Sequence, residues 1–535
     1  MRADQLFENI GAVDEELLAR SEANAAEARR KRRLRVIWSA AAAAAVVVIV
    51  GVAIAMKTGI FRNKKTPKEP ANNTVTAGSA ERTIDLAKDE VLGKYLIASR
   101  VMPAMNTAPE VADYIDASGI LDSDGYKKAE AAFEDQYRPY REKLQEYGVA
   151  KAVSPVNAFN AMAMRMLLAN RGGANRTYSP INIYFALAML SELTDGNTRA
   201  ELLSLTGADT VQDLRTRANA MWEHLYKNDE HGKLILGSSL WLREKTEASD
   251  EPNYNTETLQ RLADYYYAAS FRGKMGSAEY DNALRQWLNK QTGGLLKDAV
   301  DGISLDPETV LALATTVWFA EKWQGPFDES LTSPGVFHAA DGEKQAEFMN
   351  TLLYSQLYYY GDNFVSVPLR FISEANASMW FVLPEEGSTV DDLLTDPEVL
   401  ALLEQGYGYQ KTEQALIDLT VPKFDISYSC DLCGVLEKLG VKDVFNPETS
   451  DFSSMVTDET VGYYVSEMKH SARVRIDEKG AEAAAFTEIA AFGTSLPTEQ
   501  LVLRFDRPFL FVIRSESGIP LFVGVVENPQ SASAS

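Results

Sequence analysis

The sequence predicts an α+β domain behind one membrane-spanning helix. Three observations carry that expectation. Helical periodicity dominates from Asn157 to about residue 300. Short strand patterns dominate after Val310, and helices followed by antiparallel strands make an α+β arrangement rather than an alternating α/β one. Near the N-terminus, residues 36–56 carry no charge. At about 1.5 Å per residue, such a helix is roughly 30 Å long, the depth of a hydrocarbon core.

Taken in order, residues 1–35 read as an acidic, helix-prone lead that ends in the basic cluster Arg29, Arg30, Lys31, Arg32, Arg33 and Arg35. This cluster outweighs the dispersed Lys57, Arg62, Lys64, Lys65 and Lys68, so the positive-inside rule leaves the N-terminus cytoplasmic and everything after Met56 outside. Ala53-Ile54-Ala55 offers a signal-peptidase-like site, but the charged leader and the apolar run are both long for a secretory signal. Residues 57–83, with Pro67, Pro70 and no periodic apolar face, read as a flexible tether. Residues 84–153 hold helical patterns rich in charge and tyrosine, suited to an accessory cap or a spacer. Beyond them Phe159, Met162, Met166 and Leu167 fall on one helical face. Strands are expected at 379–383, 416–422, 501–505, 510–513 and 521–526, and no repeat of solenoid period is present.

Composition excludes several functions. The chain of 535 residues is 46% hydrophobic and carries a net charge of −23, from 76 acids against 53 bases. That balance opposes nonspecific nucleic-acid binding, which needs basic patches to displace counterions. The four histidines, His224, His231, His338 and His470, form no metalloprotease motif, and there is no nucleophile elbow or phosphate loop. We therefore expect no enzyme, cofactor or metal site. His470 reads as a hydrogen-bonded core histidine rather than a base. Cys430 and Cys433 are the only cysteines, too few for a zinc site, and read as small buried residues open to oxidation outside the cell. The acidic pairs Glu385-Glu386 and Asp391-Asp392 read as solvated turns and helix caps.

Residues 478–495 stand apart. With period two, Ala481, Ala483, Ala485, Thr487, Ile489 and Ala491 form one uncharged, mostly small face. Glu482, Ala484, Phe486, Glu488, Ala490 and Phe492 form the other. The alternation suits a half-buried strand, while so much alanine and glutamate is poor strand composition. Such a segment is a candidate for conditional insertion into a sheet; the plainer alternative is an exposed alanine-rich helix or loop.

Downstream, Leu503-Arg504-Phe505-Asp506-Arg507-Pro508-Phe509 leads into Phe522-Val523-Gly524-Val525-Val526-Glu527-Asn528-Pro529. With Glu478-Lys479-Gly480-Ala481-Glu482-Ala483-Ala484-Ala485 upstream, this order of motifs resembles the serpins, whose reactive-centre loop opens with a similar hinge. Ser179-Pro180-Ile181-Asn182, the set Trp287, Thr292, Gly294 and Leu296, the stretch Thr315 to Phe327 with Trp318 and Trp323, and Val421-Pro422-Lys423-Phe424 also resemble family segments. His470, eight residues before Glu478, stands where the family keeps a histidine beneath its main sheet. The resemblance covers roughly residues 154–530, with a lead-in from near residue 85, and points to a membrane-anchored, bacterial member. It implies the serpin fold: a large mixed sheet A, further sheets, surrounding helices and an exposed reactive loop.

The mechanism so implied is suicide inhibition. A serine protease attacks the loop, forms an acyl-enzyme, and is carried off as the freed loop inserts into the main sheet. The resemblance assigns the hinge to Glu478, Gly480, Ala481, Glu482, Ala483, Ala484 and Ala485, and the sheet opening to Ser179, Asn182, Thr315, Trp323 and His470. Asn182 and Thr315 depart from the family's usual serine and asparagine, so the hydrogen bonds there must be arranged differently. Counting from the hinge places the reactive bond at Thr494-Ser495, or at Phe492-Gly493 with a shift of two. Small residues before Thr494-Ser495 suit elastase-like or subtilisin-like targets, whereas Phe492 would suit a chymotrypsin-like one. No Lys or Arg lies between Lys479 and Arg504, which disfavours a trypsin-like target. The alternative is a non-inhibitory serpin acting as a binding or adhesion module, but its hinge should carry charged or bulky inward residues.

Overall fold

Local signals in the chain set most element boundaries. A computed structural model describes residues 85–529 except 104–108, 110, 116–119, 170–171, 230–231, 245–252, 295–301, 308, 373–376, 458–462, 467 and 482–498. The expected span 36–56, its flanks and nearly all of the loop after the hinge lie outside the described residues. Among the described residues no helix is long and apolar enough to cross a membrane.

The N-terminal half runs β1 (Leu96–Ala98), α1 (Ser123–Tyr147), α2 (Val149–Leu168), β2 (Arg176–Tyr178), α3 (Pro180–Leu193), α4 (Gly196–Thr206), α5 (Val211–Leu225), β3 (Lys227–Asn228), β4 (Gly232–Arg243), α6 (Thr256–Tyr266), β5 (Ala268–Gly273), α7 (Ala278–Gln291) and β6 (Leu311–Lys322). The rest is mainly strand: β7 (Ser333–Ala339), β8 (Gly342–Tyr360), β9 (Phe364–Arg370), β10 (Ser378–Pro384), α8 (Val390–Leu393), α9 (Pro397–Gln405), β11 (Thr412–Pro422), β12 (Phe424–Asp431), α10 (Cys433–Lys438), β13 (Lys469–Ile476), β14 (Gly480–Ala481), β15 (Gln500–Arg504), β16 (Phe509–Arg514) and β17 (Pro520–Val526).

Side-chain caps start most helices. Ser179 accepts from the Asn182 amide at 3.3 Å, with Pro180 opening α3, and Thr389 and Asp392 form a reciprocal capping box on α8. Every residue of α3 is buried, as befits a helix apolar on all sides, and it packs on β17 and β6.

Three ladders result. The first runs β1-β5-β4-β6-β14, with β3 on β4. The second runs β15-β11-β8-β9-β10-β16-β17-β2, with β7 on β8, and the third joins β12 to β13. Both larger sheets are mixed, since β4 pairs parallel with β5 and β11 parallel with β15.

Three readings need correction. Met162 and Met166 are exposed; the buried face of α2 is Val156, Phe159, Ala163, Met164 and Leu167, about a residue away round the helix. Cys430 and Cys433 are free and half-buried rather than buried, and burial pushes their thiols up to about 11 and about 12. The lead-in before residue 100 adds strand β1 to the edge of the first sheet instead of continuing a helical cap.

Candidate functional site

Strand β13 ends in a tight reversal. Asp477 and Gly480 exchange backbone hydrogen bonds, the Asp477 amide donating at 3.0 Å and the Gly480 amide at 3.3 Å. The chain then pairs antiparallel with the end of β6, Gly480 opposite Lys322 and Ala481 opposite Glu321. Only glycine suits this reversal. Gly480 has φ 144°, and a Cβ there would lie 2.2 Å from the Glu321 carbonyl oxygen.

Side chains and amides from two connections, residues 323–332 between β6 and β7 and Lys423 between β11 and β12, hold the turn. The Trp323 indole N–H donates to the Asp477 carbonyl at 2.9 Å, and the Trp323 and Phe327 amides donate to the carbonyls of Lys479 and Glu478. Trp323 is itself fixed by stacking on Phe371, centroids 4.4 Å apart. The Glu478 carboxylate accepts from the Thr332 hydroxyl at 2.8 Å and from Lys423 at 3.0–3.1 Å. Burial alone would raise its pKa, but hydrogen bonds from its own amide, Thr332 and Lys423 leave it lowered. Ala481, the first small residue of the inward face, is buried.

Below Ala481 the arrangement changes. Among the described residues no ladder joins β6 to β13. Most of the central residues of β6 are only half-buried, whereas its neighbour β4 is buried along nearly its whole length. Two hollows lie along this line. The upper one is lined by Ser179, Asn182, Thr292, Thr316, Ser471 and Phe522. The lower, about 90 Å³, lies under α7 and is lined by Trp241, Leu284, Ala312, Thr315, Lys469 and Ser471 among others. The Asn182 side-chain nitrogen Nδ2 and the Thr316 hydroxyl, both at the upper hollow, are buried without a partner among the described residues. Two strand edges with a seam between them and unpaired polar groups beneath it can take up one more strand.

Ser179, Asn182 and His470 come together at the closed side of the seam. The Ser179 amide donates to His470 Nε2 at 3.1 Å, so the imidazole is neutral with its proton on Nδ1, and burial holds its pKa down at about 4. Thr315 faces the lower hollow, and its neighbour Thr316 takes the place beside Asn182. Trp323 serves the hinge turn instead. Glu482, Ala483, Ala484, Ala485 and both candidate reactive bonds lie outside the described residues. Sequence reasoning missed Thr332 and Phe327 as hinge supports. It had Lys423 within the Pro-Lys-Phe motif, but nothing in the linear pattern paired it with Glu478.

This fold and this hinge define a class of protein in which a strand turn stands poised at the head of an open main sheet. The profile of the family Serpin (serine protease inhibitor) matches residues 154–529, and the chain belongs to that family. It is 29% identical to the alpha-1-antitrypsin-like protein GS55-MS of Ictidomys tridecemlineatus over 72% of this chain and 91% of that protein. It is 30% identical to the alpha-1-antiproteinase of Callosciurus caniceps over 72% of this chain and 90% of that protein. Among solved structures, the native thermophilic serpin tengpin matches with TM-score 0.62 at 24% identity over 70% of this chain and 93% of its own. Native Arabidopsis AtSerpin1 matches with TM-score 0.60 at 25% identity over 71% and 98%. The family is described as serine protease inhibitors, a non-catalytic role.

Proposed function

We propose that this chain is an extracellular, membrane-tethered suicide inhibitor of serine proteases. The observation that carries the reading is the hinge: Gly480 and Ala481 already occupy the first two positions of a strand between β6 and β13, above a seam without a ladder. The remaining inward residues, Ala483, Ala485, Thr487, Ile489 and Ala491, are small or uncharged, so their burial would leave no unpaired carboxylate in the sheet. The reactive bond is Thr494-Ser495, the targets are elastase-like or subtilisin-like enzymes, and residues 36–56 anchor the chain with its N-terminus in the cytoplasm.

The test is denaturing electrophoresis of residues 85–535 with elastase-like, subtilisin-like, chymotrypsin-like and trypsin-like proteases. A covalent complex and a released peptide starting at Ser495 are expected. Clean cleavage without a complex would favour the binding-module alternative. The anchor is tested separately, by whether the full chain resists carbonate extraction from membranes and loses that resistance when residues 36–56 are deleted.

A further inference from the structure

The hinge turn fixes a register for whatever strand enters the seam. On one side Asp477 bridges Gly480; on the other Gly480 stands opposite Lys322 and Ala481 opposite Glu321. Continued down β13, the first pairing sets Glu482 against Arg475, Ala484 against Arg473, Phe486 against Ser471 and Glu488 against Lys469. Continued down β6, the second sets Glu488 against Ala314. These β13 residues point away from the core, since His470, Ala472, Val474 and Ile476 between them are buried. Arg473, which falls against an alanine, is held bidentately by Asp425 at 2.7 and 2.8 Å. The two carboxylates of the loop's outward face, Glu482 and Glu488, each fall against one of the other two bases.

We propose that Lys469 is the counter-charge that seats Glu488 beneath α7, and that this pair, with Arg475 and Glu482, holds the entering loop in a single register. The proposal rests on the inhibitor reading and concerns which register the loop takes. Glu488 matters more than Glu482, because the two outward positions differ in cover. Arg475 stands at an open edge, its side chain 51% exposed and 4.0 Å from Asp477. Lys469 and Ala314 instead line the lower hollow together with Leu284 and Leu288 of α7. A carboxylate entering a space with such apolar walls is costly unless a cation meets it, and Lys469 stands at that level. Ala314 opposite leaves room for the side chain. A slip of one residue would turn Glu488 toward the core, and a slip of two would set it against Ser471 or Glu467. Lys469 is therefore a positioning residue: a loop that stalls at Glu488 leaves the acyl-enzyme time to hydrolyse.

The experiment uses the full chain in detergent with Lys469→Glu, Glu488→Lys and the exchange that carries both. Melting of the uncleaved proteins checks the fold. If a reversal melts early, Lys469→Gln replaces it, and this should do more harm alone than together with Glu488→Gln. Each protein is nicked in the loop by a protease that is not trapped, and the rise in melting temperature is measured. The protease panel gives the ratio of complex to cleaved product. Each single reversal is expected to cut the rise by half or more and the ratio at least threefold, while the exchange restores both to near the parent. Single reversals without effect, or an exchange no better than they are, would overturn the proposal while the parent's own rise and complex uphold the inhibitor reading. If the parent gains the rise but traps nothing, the inhibitor reading fails, and recovery of the rise in the exchange upholds the pair. If the nicked parent neither gains stability nor traps, both fail. A rise that comes with self-association on sedimentation would mean that a second copy supplies the strand, and the proposal is overturned.

Discussion

Gly480 and His470 each do one job that a neighbouring residue type could not. A Gly480→Val substitution would place a side chain against the Glu321 carbonyl at a backbone angle that valine resists, a strain of about 1–3 kcal/mol. The expected outcome is loss of the pairing with Lys322 and a larger fraction of inhibitor cleaved without trapping. An unchanged ratio of complex to cleaved product would count against the hinge assignment. His470 predicts a pH dependence. Its folded pKa is about 4, while an unfolded histidine titrates near 6.5, so between those values the unfolded chain takes up a proton that the folded one refuses. Its contribution is complete above pH 6.5 and is lost as pH falls toward 4, by on the order of 3 kcal/mol. His470→Gln should therefore flatten the fall in melting temperature between pH 7 and 4.5, and parallel profiles for the two proteins would refute this. The sequence named Gly480 and His470, because each sits in a motif. Thr332 stood in no pattern, and the Thr315–Phe327 motif that contains Thr316 and Phe327 did not reveal what they do, because those roles come from contacts between distant strands.

The N-terminal lead-in is the element whose role the sequence left most open. Strand β1 pairs Leu96 with Phe271 on the outer edge of the first sheet, and Arg100 reaches the Asp264 carbonyl at 2.7 Å. Leu92 is fully buried among Trp241, Phe271, Tyr280 and Trp287, while Asp89 pairs with Lys290 on α7. These residues thus hold the outer strands to the helix above them. Leu92→Ala should cost about 2–5 kcal/mol, the range for a large-to-small change in a tight core. Denaturant unfolding measures it, and a loss under 1 kcal/mol would show that the lead-in is dispensable. Helix α1 was easier to foresee, since its charge and tyrosine pattern is periodic. It lies along α5 with Phe133, Tyr137 and Leu144 buried, Lys143 pairing with Glu223 at 2.5 Å and Tyr147 donating to Asp213 at 2.9 Å. A three-residue strand has no period to read, which is why β1 escaped notice.

At the scale of the whole molecule, the open seam makes cleavage a stability test. If the freed loop adds a middle strand of about a dozen residues, net gains near 0.5–1.5 kcal/mol per hydrogen bond amount to on the order of 10 kcal/mol. Nicking the loop with a protease that is not trapped should then raise the melting temperature clearly, and a nicked protein that melts where the intact one does would mean that the strand does not enter. The sequence by itself determined the α+β class, five of the late strands and the glycine of the hinge turn, and it showed the alternation of small residues that follows. These are local properties, readable as periodicity, composition and short motifs along the chain. Only the tertiary structure decided that β6 and β13 stand side by side without a ladder and that Glu478 is held by Thr332 and Lys423. Those features arise where strands far apart in sequence meet, and register between such strands is set by the packing of the whole sheet rather than by any one segment.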